Sequence, residues 1–152
     1  YKVITASQMH EHVSAHFPTT DIGIFAAAVA DYKPDFVAEN KIKKSDSNLS
    51  ISLEKTVDIL AEIGNKKSDK QFIVGFALET NNELEYAKRK LESKKLDLIV
   101  LNSLNDKGAG FGGSTNKVTF ITASHDIIAH ELKSKTEVAQ DLMQQILKQT
   151  HA

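Results

Sequence analysis

Cysteine is absent from the 152 residues, which excludes disulfides, thiolate metal centres and a cysteine nucleophile. Charge of one sign is also missing. Nineteen Lys and Arg stand against twenty Asp and Glu, for a formal net charge of −1. So even a balance argues against broad electrostatic attraction to nucleic acid or an anionic membrane, and neither is expected as a partner. Any anion site must come from lysines clustered locally. Long apolar runs are missing as well. The longest, residues 22–30, falls far short of the roughly 20 residues that span a bilayer. No secretory leader is visible, so a cytoplasmic protein is expected. The chain opens on Tyr1 rather than Met, and residues 1–4 read as the tail of a strand already under way. A missing N-terminal portion is therefore expected.

What remains is a chain long enough for one domain with a full core, residues 1–152, with no repeat, linker or low-complexity tract. Thr5 and Gln8 fit a capping box opening a helix with Met9, Val13 and Phe17 on its apolar face, ended before Pro18. Residues 22–28 form a continuous apolar run, the pattern of a strand buried on both faces. The connection 30–48 is too long to be a neutral link. Leu49, Ile51 and Leu53 alternate with polar residues as in a half-exposed strand. Thr56 is placed to cap a helix stopped at Gly64 and Asn65. Residues 72–78 make a second buried strand, followed by a Thr80–Glu83 capping box and a helix to about Lys95. Residues 97–101 make a third. Val118, Phe120 and Thr122 predict an alternating strand, with residues 127–132 as its antiparallel partner. Ser134 and Glu137 form a last capping box, before a helix that turns Val138, Leu142, Ile146 and Leu147 inward. The alternation predicts a Rossmann-like α/β fold: a doubly wound, mostly parallel sheet with helices on both faces and a small antiparallel addition.

The stretch from Ala26 to Pro34, continued by Lys41, Lys43 and Lys44, is the strongest local signal. Small residues at a strand's carboxyl end let a ligand approach the backbone, and the acid and lysines that follow supply charge. The lysines fit an anion site for phosphate or developing negative charge, and equally an ordinary solvated loop. Lys90 and Lys94, four apart on a helix, share a face. They could extend the anion site or simply pair with nearby acids such as Glu83 and Glu85. Phe76 reads as core, or as a ring that stacks on a base. Asp31 reads as a turn acid or as a carboxylate that orients a ligand.

Other constellations carry less. The six histidines, at 10, 12, 16, 125, 130 and 151, form no recognisable metal set and read as surface groups. Gly108, Gly110, Gly112 and Gly113 crowd a loop with Phe111, but they precede a strand. A dinucleotide fingerprint follows the first strand and opens a helix. A flap or turn fits better. No phosphate-loop lysine motif and no Ser-His-Asp set is present.

The ordered motifs together resemble phosphopantothenoylcysteine synthetase, over nearly the whole chain. They are residues 26–34, Lys41-Ile42-Lys43-Lys44, Asp58-Ile59, residues 75–81, Tyr86-Ala87 with Lys90 and Lys94, residues 97–100 with Asn102, and Gly110-Phe111 before Asn116. That family joins 4′-phosphopantothenate to L-cysteine. In its bacterial form CTP activates the carboxylate as an acyl-cytidylate, pyrophosphate leaves, and the amine of cysteine then displaces CMP. The resemblance implies that Lys41 is catalytic, helping to form the acyl-cytidylate. It implies nucleotide contacts at Asp31, Lys41, Val57, Asp58, Ile59, Leu60, Phe76, Lys90 and Lys94. It places Ala27 and Ala28 against the activated intermediate. It also implies Mg2+ on the triphosphate with unnamed protein ligands, a homodimer in which a segment such as 107–122 covers the neighbouring site, and fusion to a phosphopantothenoylcysteine decarboxylase half. Thr56-Val57 departs from an Asn-Pro that the family often carries. The family's Gly-rich first turn, and an asparagine there that acts on the acyl-cytidylate, match nothing in this chain. Residues 1–152 alone are therefore expected to be inactive or impaired. A nucleotide-binding module without chemistry is the alternative, and a nicotinamide oxidoreductase is disfavoured by the missing fingerprint.

Overall fold

The computed structural model describes residues 1–44, 48–103 and 112–150. Its elements in order are α1 (Ala6–His16) with a 3-10 turn (Phe17–Thr19), β1 (Ile22–Phe25), β2 (Tyr32–Pro34), β3 (Leu53–Lys55) and α2 (Ile59–Lys66). Then come β4 (Phe72–Glu79), α3 (Glu83–Ser93), β5 (Leu98–Ser103), β6 (Thr115–Asn116), β7 (Val118–Thr122), β8 (Ile127–Ala129), β9 (Lys133–Ser134) and α4 (Lys135–Thr150). A five-stranded sheet runs in the order β1-β4-β5-β7-β8. The first three strands are parallel, and β7 and β8 are antiparallel additions. Two small antiparallel pairs, β2 with β3 and β6 with β9, stand apart from it.

Alternation along the strands divides the core. Ile73 and Ala77 on β4, Ile99 and Leu101 on β5, and Ile121 on β7 pack with Ile63 of α2 and Ala87 and Leu91 of α3. Met9 and Val13 of α1 close the same face. Val74, Leu98, Val100, Val118 and Phe120 face the other way, onto Val138, Leu142 and Ile146 of α4. Each fully buried Ile, Leu or Val of this kind contributes about 1.5–3 kcal/mol. Two of the expected capping boxes form. Gln8 N–H donates to Thr5 Oγ1 at 3.1 Å, and Glu137 N–H donates to Ser134 Oγ at 3.2 Å. Asp97 accepts from Ile73 N–H at 2.7 Å and pairs with Lys67, locking the start of β5 to β4.

The structure corrects several expectations. Residues 1–4 belong to no strand. The strand at 22–28 stops at Phe25 and lies at the edge of the described sheet, so Ile22 and Ile24 are exposed rather than buried. Of the 49–54 alternation only Leu53 and Glu54 are in a strand, and that strand is exposed on an arm away from the core. Asp58, not Thr56, caps α2, which runs through Gly64 and Asn65 to Lys66. Helix α3 starts at Glu83 after Asn82 in the left-handed region (φ 45°), too late for Thr80 to be its cap. It ends at Ser93. β7 is buried on both faces because α4 covers one of them, and Leu147 points to solvent. His10 and His130 are partly buried and paired, His10 with Glu62 (2.9 Å) and His130 with Asp141 (3.2 Å). Gly108, Gly110, Phe111 and His151 lie outside the described residues. No described helix is long and apolar enough to cross a membrane.

Candidate functional site at the carboxyl end of the parallel strands

β1 sheds bulk after Phe25 into Ala26, Ala27 and Ala28, and the chain leaves the sheet there because nothing large remains to bury. That leaving segment and the start of α2 enclose a cavity of about 130 Å3. Ala27, Val29, Ala30 and Asp31 form one wall, and Thr56 to Leu60 form the other. Met9, Phe25, Phe76 and Lys94 complete the lining. Thr56 joins the two walls. Its hydroxyl donates to the Ala30 carbonyl at 2.6 Å, and its N–H donates to the Asp31 carbonyl at 2.9 Å.

Charge is arranged across elements. Lys94, the C-cap of α3, lies 2.9 Å from Asp58 Oδ2, and Lys90 lies 2.7 Å from Glu79 Oε1 at the end of β4. Asp58 also accepts from Ala61 N–H at 3.0 Å as the α2 cap. Partial burial pushes its carboxyl up, but the Ala61 hydrogen bond and the Lys94 and Lys90 ammonium groups outweigh that. The net shift is below the usual aspartate range. The two lysines thus take partners from other elements, while Glu85 pairs with Arg89 instead.

Of the residues singled out in the sequence, the fold gathers Ala27, Asp31, Val57, Asp58, Ile59, Leu60, Phe76 and Lys94 around this one cavity. Lys90 sits one helical turn before Lys94 and is not among the lining residues, but its charge acts on Asp58, which is. Ala28 and Lys41 are not among the lining residues, and Lys41 is exposed on an irregular stretch. Sequence reasoning missed Met9, Phe25 and Val29 as lining groups, and Glu79 and Asp58 as the lysines' partners. The only local signal for Glu79 was an acid at the carboxyl end of a buried strand. Among the described residues no group of three or more His, Cys, Asp or Glu is placed to hold a metal ion.

A three-layer α/β domain with a cavity at the carboxyl ends of its parallel strands, one lysine among the lining residues, has the architecture of a small-ligand-binding domain. The chain belongs to the family described as the DNA/pantothenate metabolism flavoprotein C-terminal domain, which matches residues 1–150. It is 42% identical over 144 residues to the coenzyme A biosynthesis bifunctional protein CoaBC of Bacillus subtilis, covering 95% of this chain and 35% of that one. It is 48% identical over 149 residues to a cysteine/cysteine sulfinic acid decarboxylase from an unknown prokaryotic organism, covering 98% of this chain and 42% of the relative. The solved C-terminal domain of a CoaBC protein superposes with a TM-score of 0.79 at 36% identity, over 99% of this chain and 65% of that one. The chain therefore spans less than half the length of these two curated relatives, which carry long portions it does not match.

Proposed function

We propose that this chain is the nucleotide-activating domain of a ligase that joins 4′-phosphopantothenate to L-cysteine through a CTP-derived acyl-cytidylate, in coenzyme A biosynthesis. One observation carries the reading: seven residues expected at a nucleotide site, drawn from four separate stretches of sequence, line a single cavity together with Ala27, expected at the activated intermediate. The cavity, at about 130 Å3, is smaller than the 300–1,000 Å3 typical of a whole ligand site. It suits part of a nucleotide, such as a base against Phe76 and the Val57–Leu60 wall, with the phosphates running out toward Lys94 and Lys90. There the triphosphate competes with Asp58 and Glu79 for the two ammonium groups.

In the first step a carboxylate oxygen of phosphopantothenate bonds to the α-phosphorus of CTP and the bond to pyrophosphate breaks. Anion attacks anion, so positive charge at the site lowers the barrier. We assign Lys41 this role at the α-phosphate, which requires the exposed 35–44 stretch to fold over the cavity once ligand is bound. In the second step the cysteine nitrogen bonds to the acyl carbon, CMP leaves with the bonding pair, and the nitrogen loses a proton. Ala27 and Ala28 expose backbone where the acyl group would lie. Magnesium, expected with the triphosphate, would supply further positive charge there, and no step here depends on it. The intact protein is proposed to be cytoplasmic and homodimeric and to carry a decarboxylase half, and the bifunctional names of its relatives support the last of these. Residues 1–152 alone are proposed to bind CTP with little or no turnover.

A thermal-shift panel with CTP, ATP and NAD, each with magnesium, tests the reading. A ligand that binds only the native state at 100 times its Kd adds about 2.7 kcal/mol of stability. CTP is expected to raise Tm selectively, and stabilisation by NAD alone would overturn the proposal. In the full-length protein, Lys41→Gln is expected to abolish pyrophosphate release with Tm unchanged. Release at the parent's rate would remove Lys41 from its role.

A further inference from the structure

Resting on the reading of this cavity as a nucleotide site, we propose that Thr56 is a positioning residue that holds the two cavity walls in register. It lies between the end of β3 at Lys55 and the α2 cap at Asp58, so it travels with the Val57–Leu60 wall. Its hydroxyl donates to Ala30 at 2.6 Å and its N–H to Asp31 at 2.9 Å, both on the opposite wall. Two hydrogen bonds from one residue to adjacent carbonyls fix both the separation and the tilt of the two segments. At the ends away from the β2–β3 pair the walls attach to different parts of the fold, one to the edge strand β1 and the other to α2. The β2–β3 ladder pairs Tyr32 with Lys55 one residue further out, and the two Thr56 bonds carry that tie onto the cavity-lining residues themselves. The main-chain bond survives any substitution except proline, so the hydroxyl bond is the adjustable half of the tie.

That bond is exposed, and water can satisfy the Ala30 carbonyl when it is lost. Removing it therefore loosens the wall with little effect on global stability. Valine is the informative replacement, because it keeps the β-branch that favours extended backbone and deletes only the hydroxyl. Serine keeps the hydroxyl and deletes only the methyl group. If Thr56 acted by packing its methyl on the ligand, the two variants would rank in the opposite order.

The experiment measures CTP affinity by calorimetry on residues 1–152 for the parent, Thr56→Val and Thr56→Ser. Amide exchange of the 26–31 segment is followed in the same three proteins without nucleotide. Thr56→Val is expected to bind CTP about three- to tenfold more weakly, the scale of one net hydrogen bond. It should exchange faster at 26–31 and keep the parent's Tm to within a few degrees. Thr56→Ser should match the parent in affinity and exchange. Parent-like binding by Thr56→Val, or equal weakening in both variants, would overturn the proposal. If the parent itself fails to bind CTP, the nucleotide reading falls. Unchanged exchange in Thr56→Val would then also remove the positioning role.

Discussion

At the scale of the residue, Asp58 serves as both helix cap and counter-ion, and both roles require its charged form. The carboxylate accepts Ala61 N–H and faces Lys94 at 2.9 Å. Its pKa is lowered despite the opposing effect of burial. A carboxyl whose folded pKa lies below its ordinary value of 3.8 contributes stability that is complete above that value. The contribution is lost as pH falls through the lower folded value. At neutral pH Asp58 therefore stabilises fully, and the loss is confined to the acid range. Its side chain is half exposed, so solvent screens the Lys94 pair and the capping bond carries most of the effect. Asp58→Ala is expected to cost about 1 kcal/mol at pH 7, the usual loss for a cap. Asp58→Asn keeps an acceptor and loses the titration. In urea titrations at pH 7 and pH 3, the stability gap between parent and Asp58→Asn should narrow at the lower pH. Parallel profiles would mean that the cap and the ion pair do not hold the charged form.

At the scale of the element, the site depends on how closely α2 approaches the end of α3, and Gly64 permits that approach. A Cβ built at Gly64 would lie 1.8 Å from the Lys94 carbonyl oxygen, a backbone atom with no freedom to swing away. Glycine to alanine inside a helix ordinarily gains about 1 kcal/mol. Here overpacking opposes it by about 1–3 kcal/mol or more, and the contact distance says that overpacking wins. Gly64→Ala is expected to lower the urea midpoint and to weaken CTP binding, because relief of the clash moves Lys94. A variant as stable as the parent would rule the close approach out. The same glycine shows where sequence reasoning stops. Read locally, Gly64-Asn65 ends a helix, and its actual reason is a neighbour thirty residues away. The Thr5–Gln8 and Ser134–Glu137 caps were legible because both partners lie within one turn. The Thr80–Glu83 box was not, since β4 continues to Glu79 and Asn82 makes the turn into α3 in the left-handed region. The core strands at 72 and 97 were legible from unbroken apolar runs. The exposure of β1 was not, because a run of apolar residues does not say which strand lies at an edge. Motif order brought Phe76, Asp58 and Lys94 to one site in advance. Their pairing pattern, Lys94 with Asp58 and Lys90 with Glu79, is a tertiary fact.

At the scale of the whole molecule, the core is well covered while one arm is not. Tyr32, Phe36, Val37, Ile42, Leu49, Ile51 and Leu53 are all more than half exposed, and all belong to the segment that β2 and β3 carry away from the sheet. Cross-strand pairing of Lys33 with Glu54 at 2.9 Å and the β2–β3 ladder set the arm's register without burying any of these side chains. So many exposed apolar side chains within one segment suit a surface that a partner covers. The arm starts at Asp31 and returns at Thr56, both of which line the cavity. Whatever covers the arm therefore sits beside the site. Of the segment 107–122, expected from the sequence to cover a neighbour, residues 107–111 lie outside the described residues, and the last part, β7, is a core strand paired on both edges. We expect the chain to be a dimer in which arms meet, and light scattering should give twice the 16.8 kDa of one chain. Ile51→Glu and Leu53→Glu change residues already exposed in the single chain, so each should yield a folded monomer. Charge in a buried apolar contact is strongly unfavourable, while charge in water is not. A parent mass of one chain would remove the dimer. A dimer that persists in both variants would move its interface elsewhere on the molecule.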